Sequence, residues 1–402
     1  MKIGVVRESI PGERRVALVP ASVQPLIKAG CVVLVEDGAG DAAGFPTAEY
    51  VEKGAGALER SQVFAQADLI LQVTGPGADA AASTLGEFRE GQAVIAMQDP
   101  LGNPHGTQAM ASRSMTAFSL ELVPRITRAQ SMDVLSSMAT VAGYQAVLEA
   151  SAIQPKLFPM MMTAAGTLAP AKVFVVGVGV AGLQAIATAK RLGGVVEAYD
   201  VRPAVKDQVV SVGAKFVEFD LETEDAEDKG GYAKAQSDDF IKRQQEQMLA
   251  VVARNDVVIT TAAIPGKKSP VLVTEAMVEA MAPGSVIIDL AAERGGNCEL
   301  TRKDEVVEAH GVTILGPTDL VSRKPYHASQ MFSKNVETFL KSMLEEGELK
   351  IDLEDEVVAG TLLTMDGEVV HPRIRELLGL EVKAPAPAPE PAEETTPEQE
   401  GS

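Results

Sequence analysis

The sequence predicts an α/β protein of two domains, each built on a parallel β-sheet. The chain has 402 residues, which is more than one ordinary domain holds and enough for two separate cores. Short β-branched runs alternate with helical stretches through residues 1–125, and the alternation resumes at residue 172 after a long helical stretch. This alternation is typical of parallel sheets that carry helices on both faces.

The composition argues against several classes of partner. The formal charge of −20 at pH 7 disfavours nucleic acid or an anionic membrane surface as a direct partner. Cys31 and Cys298 lie far apart, so we expect neither a disulfide framework nor a metal site, which suits a reducing cytoplasm. The chain opens on a strand-like run and lacks 18 consecutive apolar residues, so we expect neither a signal peptide nor a membrane span.

The first series of elements predicts one sheet. We expect strands at residues 3–6, 32–35, 69–73, 93–96 and 116–119, with helices around residues 21–29, 48–53 and 106–111. A glycine-rich segment, residues 38–44, follows the second strand. Its last glycine gap is three residues long and Pro46 limits a helix after it. We therefore interpret this segment as a structural loop.

The second series opens with a Gly-x-Gly-x-x-Gly turn in residues 172–183, between a β-branched run and a helix-forming stretch. This context is the one that a dinucleotide-binding turn requires. Gly177 allows the tight turn, Gly179 lets backbone amides approach a pyrophosphate, and Gly182 lets the helix pack on the strand. We expect one nucleotide site in the chain, with the pyrophosphate on the backbone of Val178, Gly179 and Val180.

Asp200 ends the next predicted strand, residues 195–199, and follows Gly177 by about 20 residues, as in dinucleotide-binding folds. A carboxylate at this point accepts hydrogen bonds from the adenosine ribose diol and repels a 2′-phosphate. The sequence therefore predicts NAD(H) rather than NADP(H), with Val201 and Arg202 beside the ribose.

A polar segment, residues 121–137, joins the two series. In one interpretation it is a crossover in which Ser131 or Asp133 caps the following helix. In the other it faces the cleft between the domains, where Arg125 and Arg128 meet the pyrophosphate or carboxamide. Gln130 and Asp133 then meet the nicotinamide and its ribose. The residues themselves leave both interpretations open.

The second domain continues with predicted strands near residues 215–217, 256–260, 285–290 and 312–315, which complete six strands of a dinucleotide fold. A strongly acidic connection, residues 220–234, contains a Gly-Gly pair and has almost no bulky apolar side chain. It is either an inert solvated insertion or a lid in which Tyr232 closes on a bound nucleotide.

The C-terminal region returns to the first domain. A helix at residues 329–344 and a hairpin turning at Asp366-Gly367 are expected to complete that domain, which is then discontinuous. The predicted division is two Rossmann-like domains, residues 1–132 with 330–380 and residues 133–329. Residues 381–402 form an Ala-, Pro- and Glu-rich flexible tail that is a tether or a disordered end.

Several long motifs resemble one known family. Residues 125–133, 158–167, 177–185, 230–234 and 289–298 resemble the NAD(H)-binding alpha subunit of proton-translocating NAD(P) transhydrogenase, in the alanine dehydrogenase/transhydrogenase superfamily. The resemblance covers about residues 1–375. It implies a cytoplasmic homodimer, attached to the inner membrane through a membrane-spanning partner, that is active only with its partner subunits. The resemblance further implies that hydride passes directly between NADH and NADP⁺ held on a partner, and that this transfer is coupled to proton translocation.

The resemblance also implies roles for individual residues. Gly231, Gln244 and Ala263 complete the NAD(H) pocket. The catalytic group is Arg125, Gln130, Asp133, Ser136 and Tyr232, and the nicotinamide end is bound by Arg125, Ile126, Thr127, Arg128, Gln130, Ser131, Met132 and Asp133.

Alanine dehydrogenase is the alternative, because its fold is similar and it shares the opening motif that contains Arg15. That family also uses a lysine and a histidine for acid–base chemistry. The corresponding strand ends here, residues 73–76 and 95–99, contain neither. Hydride exchange between two nicotinamides needs no proton transfer at the reacting carbons, so the departure favours transhydrogenase. A catalytically silent NAD-responsive binding module is a third interpretation, and the set of nicotinamide-side residues argues against it.

Overall fold

The computed structural model describes residues 1–221, 238–263 and 266–382 and shows two α/β domains, each with a large, mostly parallel sheet. The fold class predicted from the sequence is confirmed, including the discontinuous first domain. The predicted lid, with Gly231 and Tyr232, lies mostly outside the described residues, as do residues 383–402 of the predicted tail.

The first domain begins with alternating strands and helices. The strands are β1 (Lys2–Val5), β2 (Val32–Glu36), β3 (Gly56–Leu58), β4 (Leu69–Thr74), β5 (Ala93–Met97) and β6 (Thr116–Ser119). The helices are α1 (Val23–Lys28), α2 (Thr47–Glu52), α3 (Arg60–Gln66) and α4 (Pro104–Ala111).

A long helix, α5 (Val134–Ile153), leads to a small hairpin and then to the second domain. The hairpin strands are β7 (Met161–Thr163) and β8 (Gly166–Leu168), and the domain's strands are β9 (Lys172–Val176), β10 (Val195–Tyr199), β11 (Lys215–Phe216), β12 (Val257–Thr260), β13 (Val286–Asp289), β14 (Val306–Ala309) and β15 (Val312–Leu315). Its helices are α6 (Val180–Arg191), α7 (Lys206–Ser211), α8 (Asp238–Ala253) and α9 (Glu275–Glu279).

The chain then returns to the first domain through α10 (Pro325–Ser342). A short hairpin of β16 (Leu344–Glu345) and β17 (Glu348–Leu349) follows, and then α11 (Glu356–Thr361), β18 (Leu362–Met365), β19 (Glu368–Val369) and α12 (Pro372–Leu377). Asp366 and Gly367 both have positive φ, 51° and 80°, between β18 and β19. This is the backbone of the tight hairpin turn that the Asp-Gly pair predicts.

The first sheet has the strand order β19-β18-β6-β5-β4-β1-β2-β3, and the second has the order β11-β10-β9-β12-β13-β15-β14. In the second sheet the chain builds outward from β9 to β11 and then restarts on the other side of β9 with β12. The strand order therefore reverses between β9 and β12. Ligands of open parallel sheets bind beside such a reversal, at the carboxyl ends of the strands.

The central strands are apolar runs because both faces of each sheet are covered. In β12, Val257 and Ile259 belong to the core on one face of the second sheet, and Val258 belongs to the core on the other. In β4, Leu69 and Leu71 face one core of the first sheet and Ile70 faces the other. A strand that is buried on both sides cannot alternate apolar with polar residues.

Helix α10 ties the C-terminal region into the first core. Phe339 is fully buried and meets Phe118 of β6 edge-on, with ring centroids 5.9 Å apart. Truncating such a ring to alanine would cost about 3–5 kcal/mol. On the same helix, the Ser329 and Ser333 hydroxyls accept the N–H groups of Val16 and Val19, each at 3.0 Å.

Helix α5 belongs to both cores. Val134 and Met138, near its start, pack in the first domain, whereas Ala146 and Ala150 pack in the second. Helix α6 lies close against it, since a Cβ added at Gly143 would be 2.1 Å from the Ala181 carbonyl oxygen. The division at residues 132/133 stays a prediction, because one continuous helix crosses from domain to domain.

Some expectations for single elements need correction. The second sheet gains an antiparallel edge strand, β14, beyond the six predicted strands. Strand β3, the short helices α3, α7, α9, α11 and α12, and the two small hairpins were not predicted either. The glycine-rich residues 38–44 need no correction, because they fold as a turn with a short 3₁₀ helix at Asp41–Ala43, in agreement with the predicted structural loop.

Candidate functional site

A cleft of about 710 Å³ lies at the strand-order reversal of the second sheet. The ends of β9, β10 and β12 form its floor, and the beginnings of α5 and α6 form part of its walls. Eleven of the predicted site residues line it: Arg125, Ser136, Gly177, Val178, Gly179, Val180, Asp200, Val201, Arg202, Gln244 and Ala263.

The glycine turn after β9 forms one wall of this cleft. Gly177 has φ of +92°, and a Cβ there would be 2.7 Å from the Thr261 Oγ1 atom. A Cβ at Gly182 would be 2.0 Å from the Gly177 carbonyl oxygen, so helix and strand approach as the motif requires. A Cβ at Gly179 would meet no atom within 4 Å. The cleft is therefore open beside Gly179, at the N-terminus of α6, which favours an anionic group.

Asp200 lies at the end of β10 with its side chain only 5% exposed. Its Oδ2 atom accepts the Val178 N–H at 2.7 Å, so the carboxylate holds the glycine turn in place. Arg202 donates to the same carboxylate from its backbone N–H and from two atoms of its guanidinium. The predicted ribose acceptor is thus present in the cleft, and it is paired with a residue two positions later.

Gln244 of α8 is buried and lines the cleft, and its Nε2 atom donates to the Tyr199 hydroxyl at 3.0 Å. Burial, partly offset by this hydrogen bond, raises the pKa of Tyr199 to about 12, so the phenol stays protonated at neutral pH. The Tyr199 ring also packs on Phe219, with centroids 4.4 Å apart. These contacts give the cleft a neutral, rigid back wall.

The loop after β12, with Ala262 and Ala263, is held by the motif at residues 289–298. Asn297 is fully buried and exchanges hydrogen bonds with Ala262, accepting its N–H at 2.9 Å and donating to its carbonyl at 2.8 Å. Asp289 in turn accepts the Asn297 and Cys298 N–H groups at 2.7 and 2.9 Å. This motif therefore supports one wall of the cleft from below.

Asp133 and Ser136 place the start of α5 at the cleft. The Asp133 carboxylate caps the helix, accepting the Ser136 N–H at 2.9 Å and the Ser136 hydroxyl at 2.6 Å. Ser136 and Arg125 line the cleft, whereas Asp133 stands directly behind Ser136. The capping interpretation of Asp133 thus describes the geometry, and the capped helix also faces the cleft.

The rest of the segment is directed elsewhere. Ile126 and Met132 pack in or against the first core, and Asn335 of α10 donates to the Ser131 carbonyl at 2.8 Å. Arg128 forms a two-pronged ion pair with Asp355, at 2.7 and 3.0 Å, and this contact holds the pKa of Asp355 below its usual value. The remaining members, Thr127 and Gln130, are exposed in the 3₁₀ helix Thr127–Met132 and do not line the described cleft.

Several residues that line the cleft were not predicted from the sequence, including Gln208, Thr261, Lys267, Lys268 and Leu272. The two lysines follow β12 by several residues, and their sequence context contains no motif. The Thr261 hydroxyl donates to the Gly177 carbonyl at 2.9 Å. Thr261 could have been predicted from its place directly after a strand that borders the strand-order reversal.

The described residues offer neither a membrane span nor a metal site. None of their helices is long and apolar enough to cross a bilayer. Among the same residues, no group of three or more His, Cys, Asp or Glu side chains could hold a metal ion.

Comparison with known proteins places the chain in a family. The model of the alanine dehydrogenase/PNT N-terminal domain matches residues 4–142, and that of the C-terminal domain matches residues 146–372. Together these matches span most of the chain. The family resemblance inferred from the motifs is thereby confirmed.

Individual relatives refine this placement. The chain is 47% identical to the first part of NAD(P) transhydrogenase subunit alpha of Rhodospirillum rubrum, over 93% of this chain and 99% of the relative. A solved transhydrogenase structure from Sinorhizobium meliloti is 44% identical, with a TM-score of 0.81, over 93% of this chain and 100% of that one. Alanine dehydrogenase of Bacillus subtilis is 27% identical, over 95% of this chain and 96% of the relative. The chain therefore belongs to the alanine dehydrogenase/PNT family, and within it to the NAD(P) transhydrogenase alpha subunits.

Proposed function

We propose that the chain is the NAD(H)-binding subunit of a proton-translocating NAD(P) transhydrogenase. It binds NAD(H) in the cleft beside Gly179 and presents it to a partner subunit that holds NADP(H). Hydride passes directly between the two nicotinamides, and a membrane-spanning partner couples the transfer to proton translocation. The subunit is cytoplasmic, attached to the inner membrane through its partners, and active only with them.

One observation carries this proposal. The glycine turn and Asp200 meet at the strand-order reversal, and the junction segment supplies Arg125 and Ser136 to the same cleft. The open space at Gly179 and the nearby N-terminus of α6 suit a pyrophosphate, and Asp200 suits a ribose diol. The names of the relatives, an NAD(P) transhydrogenase subunit alpha and a transhydrogenase, support the same reaction.

The residues of this chain would act by positioning. A bound nicotinamide supplies the hydride, which needs no acid or base at the reacting carbon. The backbone of residues 178–180 would hold the pyrophosphate, while Asp200 and Gln244 define the adenosine side. Arg125 and Ser136 would orient the nicotinamide end, with Asp133 holding the Ser136 hydroxyl at 2.6 Å. Fixing two rings at reacting distance can lower a barrier by roughly 7–11 kcal/mol.

The contacts at the first sheet argue against alanine dehydrogenase chemistry in this chain. The Gln98 side chain accepts the Gly77 N–H at 2.9 Å, and a Cβ at Gly75 would be 2.4 Å from its Nε2 atom. A neutral amide therefore fills the space at these strand ends. An amine oxidation needs a titratable base near the reacting nitrogen, and neither Gln98 nor Gly75 provides one.

The hairpin of β7 and β8 supports the proposed homodimer. All of its strand residues are exposed, and Met162 is 81% exposed, with Met160, Met161 and Leu168 nearby in sequence. Apolar patches of this kind mark protein interfaces. A second copy of the chain is the proposed occupant, and Met162→Lys should shift the protein from dimer to monomer in light scattering. An unchanged mass for this variant would contradict that role of the hairpin.

The reaction is tested by reconstituting the chain with an NADP(H)-binding subunit and a membrane subunit from a transhydrogenase relative. Reduction of an NAD⁺ analogue by NADPH should require all the nucleotide-binding components and should acidify or alkalinise the lumen of sealed vesicles. The chain alone, and the partners alone, are the controls. Absence of transfer in a mixture whose components each bind their nucleotide would refute the proposal.

A second assay separates the family's two activities. The chain with NAD⁺ and L-alanine should produce no NADH, because the strand ends of the first sheet, residues 73–76 and 95–99, lack the lysine and histidine that alanine dehydrogenases use. Appreciable turnover, abolished by Arg15→Ala, would instead support the dehydrogenase.

A further inference from the structure

Asp200 has no spare hydrogen-bonding position in the cleft. A carboxylate offers about four lone-pair positions to donors. Two of them are taken by backbone N–H groups, that of Val178 on Oδ2 at 2.7 Å and that of Arg202 on Oδ1 at 2.9 Å. The other two are taken by the Arg202 guanidinium, through Nε on Oδ1 and Nη2 on Oδ2, both at 2.9 Å. A ribose diol needs two positions on this carboxylate, so something must leave.

The group that can leave is the Arg202 side chain. Val178 belongs to the glycine turn, and the Arg202 N–H belongs to the backbone directly after β10, so both are fixed by the fold. The guanidinium presents two parallel donors to the carboxylate, as two adjacent hydroxyl groups would. Swinging it away would free one lone pair on each carboxylate oxygen, which is the number that the diol requires.

We propose that the Arg202 side chain is a latch that competes with the adenosine ribose for Asp200 and sets the discrimination between NAD(H) and NADP(H). This inference rests on the proposed function and names the residue that controls the selectivity of its site. In the closed latch, Arg202 occupies the place of the diol. In the open latch, the guanidinium is released at the edge of the same pocket, next to the ribose.

Burial makes the closed latch strong enough to matter. The side chains of Arg202 and Asp200 are only 13% and 5% exposed, so water competes weakly for the pair. Exposed ion pairs are usually worth little, whereas shielded two-pronged pairs hold better. If the latch is closed in nine molecules of ten, the apparent affinity for the nucleotide falls about tenfold.

The latch acts with opposite sign on the two nucleotides. For NAD(H), Arg202 is a competitor that must be displaced, and its removal should tighten binding. For NADP(H), the released guanidinium lies where a 2′-phosphate would be, and an arginine there is the usual partner of that phosphate. Arg202 therefore weakens NAD(H) binding and supports the residual binding of NADP(H), whereas Asp200 does the reverse.

The test is calorimetric titration of the full chain with NADH and with NADPH, in wild type and in Arg202→Met. We expect the variant to bind NADH about tenfold tighter and the ratio of NADH to NADPH affinity to widen by at least the same factor. The matched control is Arg254→Met. Arg254 donates from Nε and Nη2 to Glu197 on the same strand, at 3.0 and 2.7 Å, and both residues lie outside the lining of the cleft. NADH affinity that stays equal or weakens in Arg202→Met would overturn the latch.

A double-mutant cycle removes the remaining ambiguity. In an Asp200→Asn background the carboxylate is absent, so Arg202→Met should change NADH affinity by less than about twofold. An equal gain in both backgrounds would show that Arg202 acts elsewhere and would also overturn the latch. Wild-type protein that binds neither nucleotide would refute the proposed function itself. Thermal unfolding of each variant establishes that the compared proteins are folded.

Discussion

The two sheets have similar parallel strands, but the space at their carboxyl ends differs: side chains occupy it in the first sheet, and it is open in the second. At the first sheet, buried carboxylates of the chain itself accept the backbone N–H groups at the strand ends. Glu8 accepts Val73 and Thr74 at 2.7 and 3.2 Å, and Glu121 accepts Gln98 and Asp99 at 2.9 and 2.7 Å. At the second sheet, the turn after β9 leaves open space beside Gly179.

The difference shows that each parallel sheet presents backbone N–H donors at its strand ends. The local sequence decides whether a side chain of the protein or a ligand accepts those hydrogen bonds. Strand ends of such sheets carry N–H groups that attract anions. In the first domain, acidic side chains from neighbouring loops take this place, at the cost of desolvation that raises the pKa of Glu8 to about 8 and also raises that of Glu121. In the second domain, glycines leave the place to a ligand.

The carboxyl ends of the two sheets also contact each other. Arg294 of the second domain forms an ion pair with Asp99 of the first, and Gly266 lies against Leu101, where an added Cβ would be 3.0 Å away. The Asp99 N–H is in turn held by Glu121. The carboxyl end of the first sheet thus supports the loop that carries Lys267 and Lys268, which line the cleft at the carboxyl end of the second sheet.

The largest effect on NADH affinity should come from placing a side chain in the open space beside Gly179. In Gly179→Ala the new methyl group meets no protein atom within 4 Å and the backbone is already in an extended conformation, so the fold should be unaffected. The methyl would lie where a pyrophosphate approaches the backbone. We expect NADH affinity to fall about 100-fold, or about 2.7 kcal/mol, in calorimetric titration. Gly86→Ala, also in open space but in the first domain, is the control. Unchanged NADH affinity in Gly179→Ala would remove the pyrophosphate from this turn.

A smaller effect, on the rate of hydride transfer, is expected at Gln130 in the segment that joins the two domains. Its side chain is exposed and does not line the described cleft, so it should add little to affinity. If it orients the nicotinamide once the partner docks, Gln130→Asn should bind NADH nearly normally yet transfer hydride about tenfold more slowly, a barrier of about 1.4 kcal/mol.

Single-turnover reduction of an NAD⁺ analogue by NADPH, with the NADP(H)-binding partner present, measures this rate. Gln108→Asn, on the exposed face of α4, is the matched control. A normal rate combined with collapsed NADH affinity would instead make Gln130 an affinity contact.

The last prediction concerns the stability of the fold rather than NAD(H) binding, and it tests the pH dependence of Glu8 at the carboxyl end of the first sheet. Burial raises the pKa of Glu8 from its ordinary value of 4.5 to about 8, so the folded protein holds a proton here that the unfolded chain releases. The stabilisation is complete below about pH 4.5 and is lost as the pH rises to about 8.

In Glu8→Gln this proton is absent, so the variant should lose less stability than wild type between pH 5 and 8. Each pKa unit is worth about 1.4 kcal/mol at most. Urea unfolding at a series of pH values measures the difference. Parallel curves for the two proteins would show that Glu8 titrates normally. Glu13, whose pKa lies near 2, contributes only at more acidic pH and does not confound this window.

Much of the fold could be predicted because its signals are local. The β-branched runs that became β4, β9 and β12 are buried on both faces, and burial of that kind leaves a continuous apolar stretch in the sequence. The strands that escaped prediction, such as β3 and β14, are short edge strands with exposed residues. Their conformation depends on the neighbour with which they pair, and the pattern of their own residues does not reveal it.

The site divides in the same way. The sequence alone determined the glycine turn, the helix after it and the acid at the end of β10, because each follows from backbone geometry over a few residues. Only the tertiary structure decided that Arg128 pairs with Asp355, which is 227 residues away, and that Asp133 stands behind Ser136 at the cleft. It also showed that the Arg202 guanidinium occupies hydrogen-bonding positions of the Asp200 carboxylate. A side chain two residues away could equally have faced solvent. Such pairings depend on how separate elements pack and which groups that packing buries, and spacing along the chain does not record either.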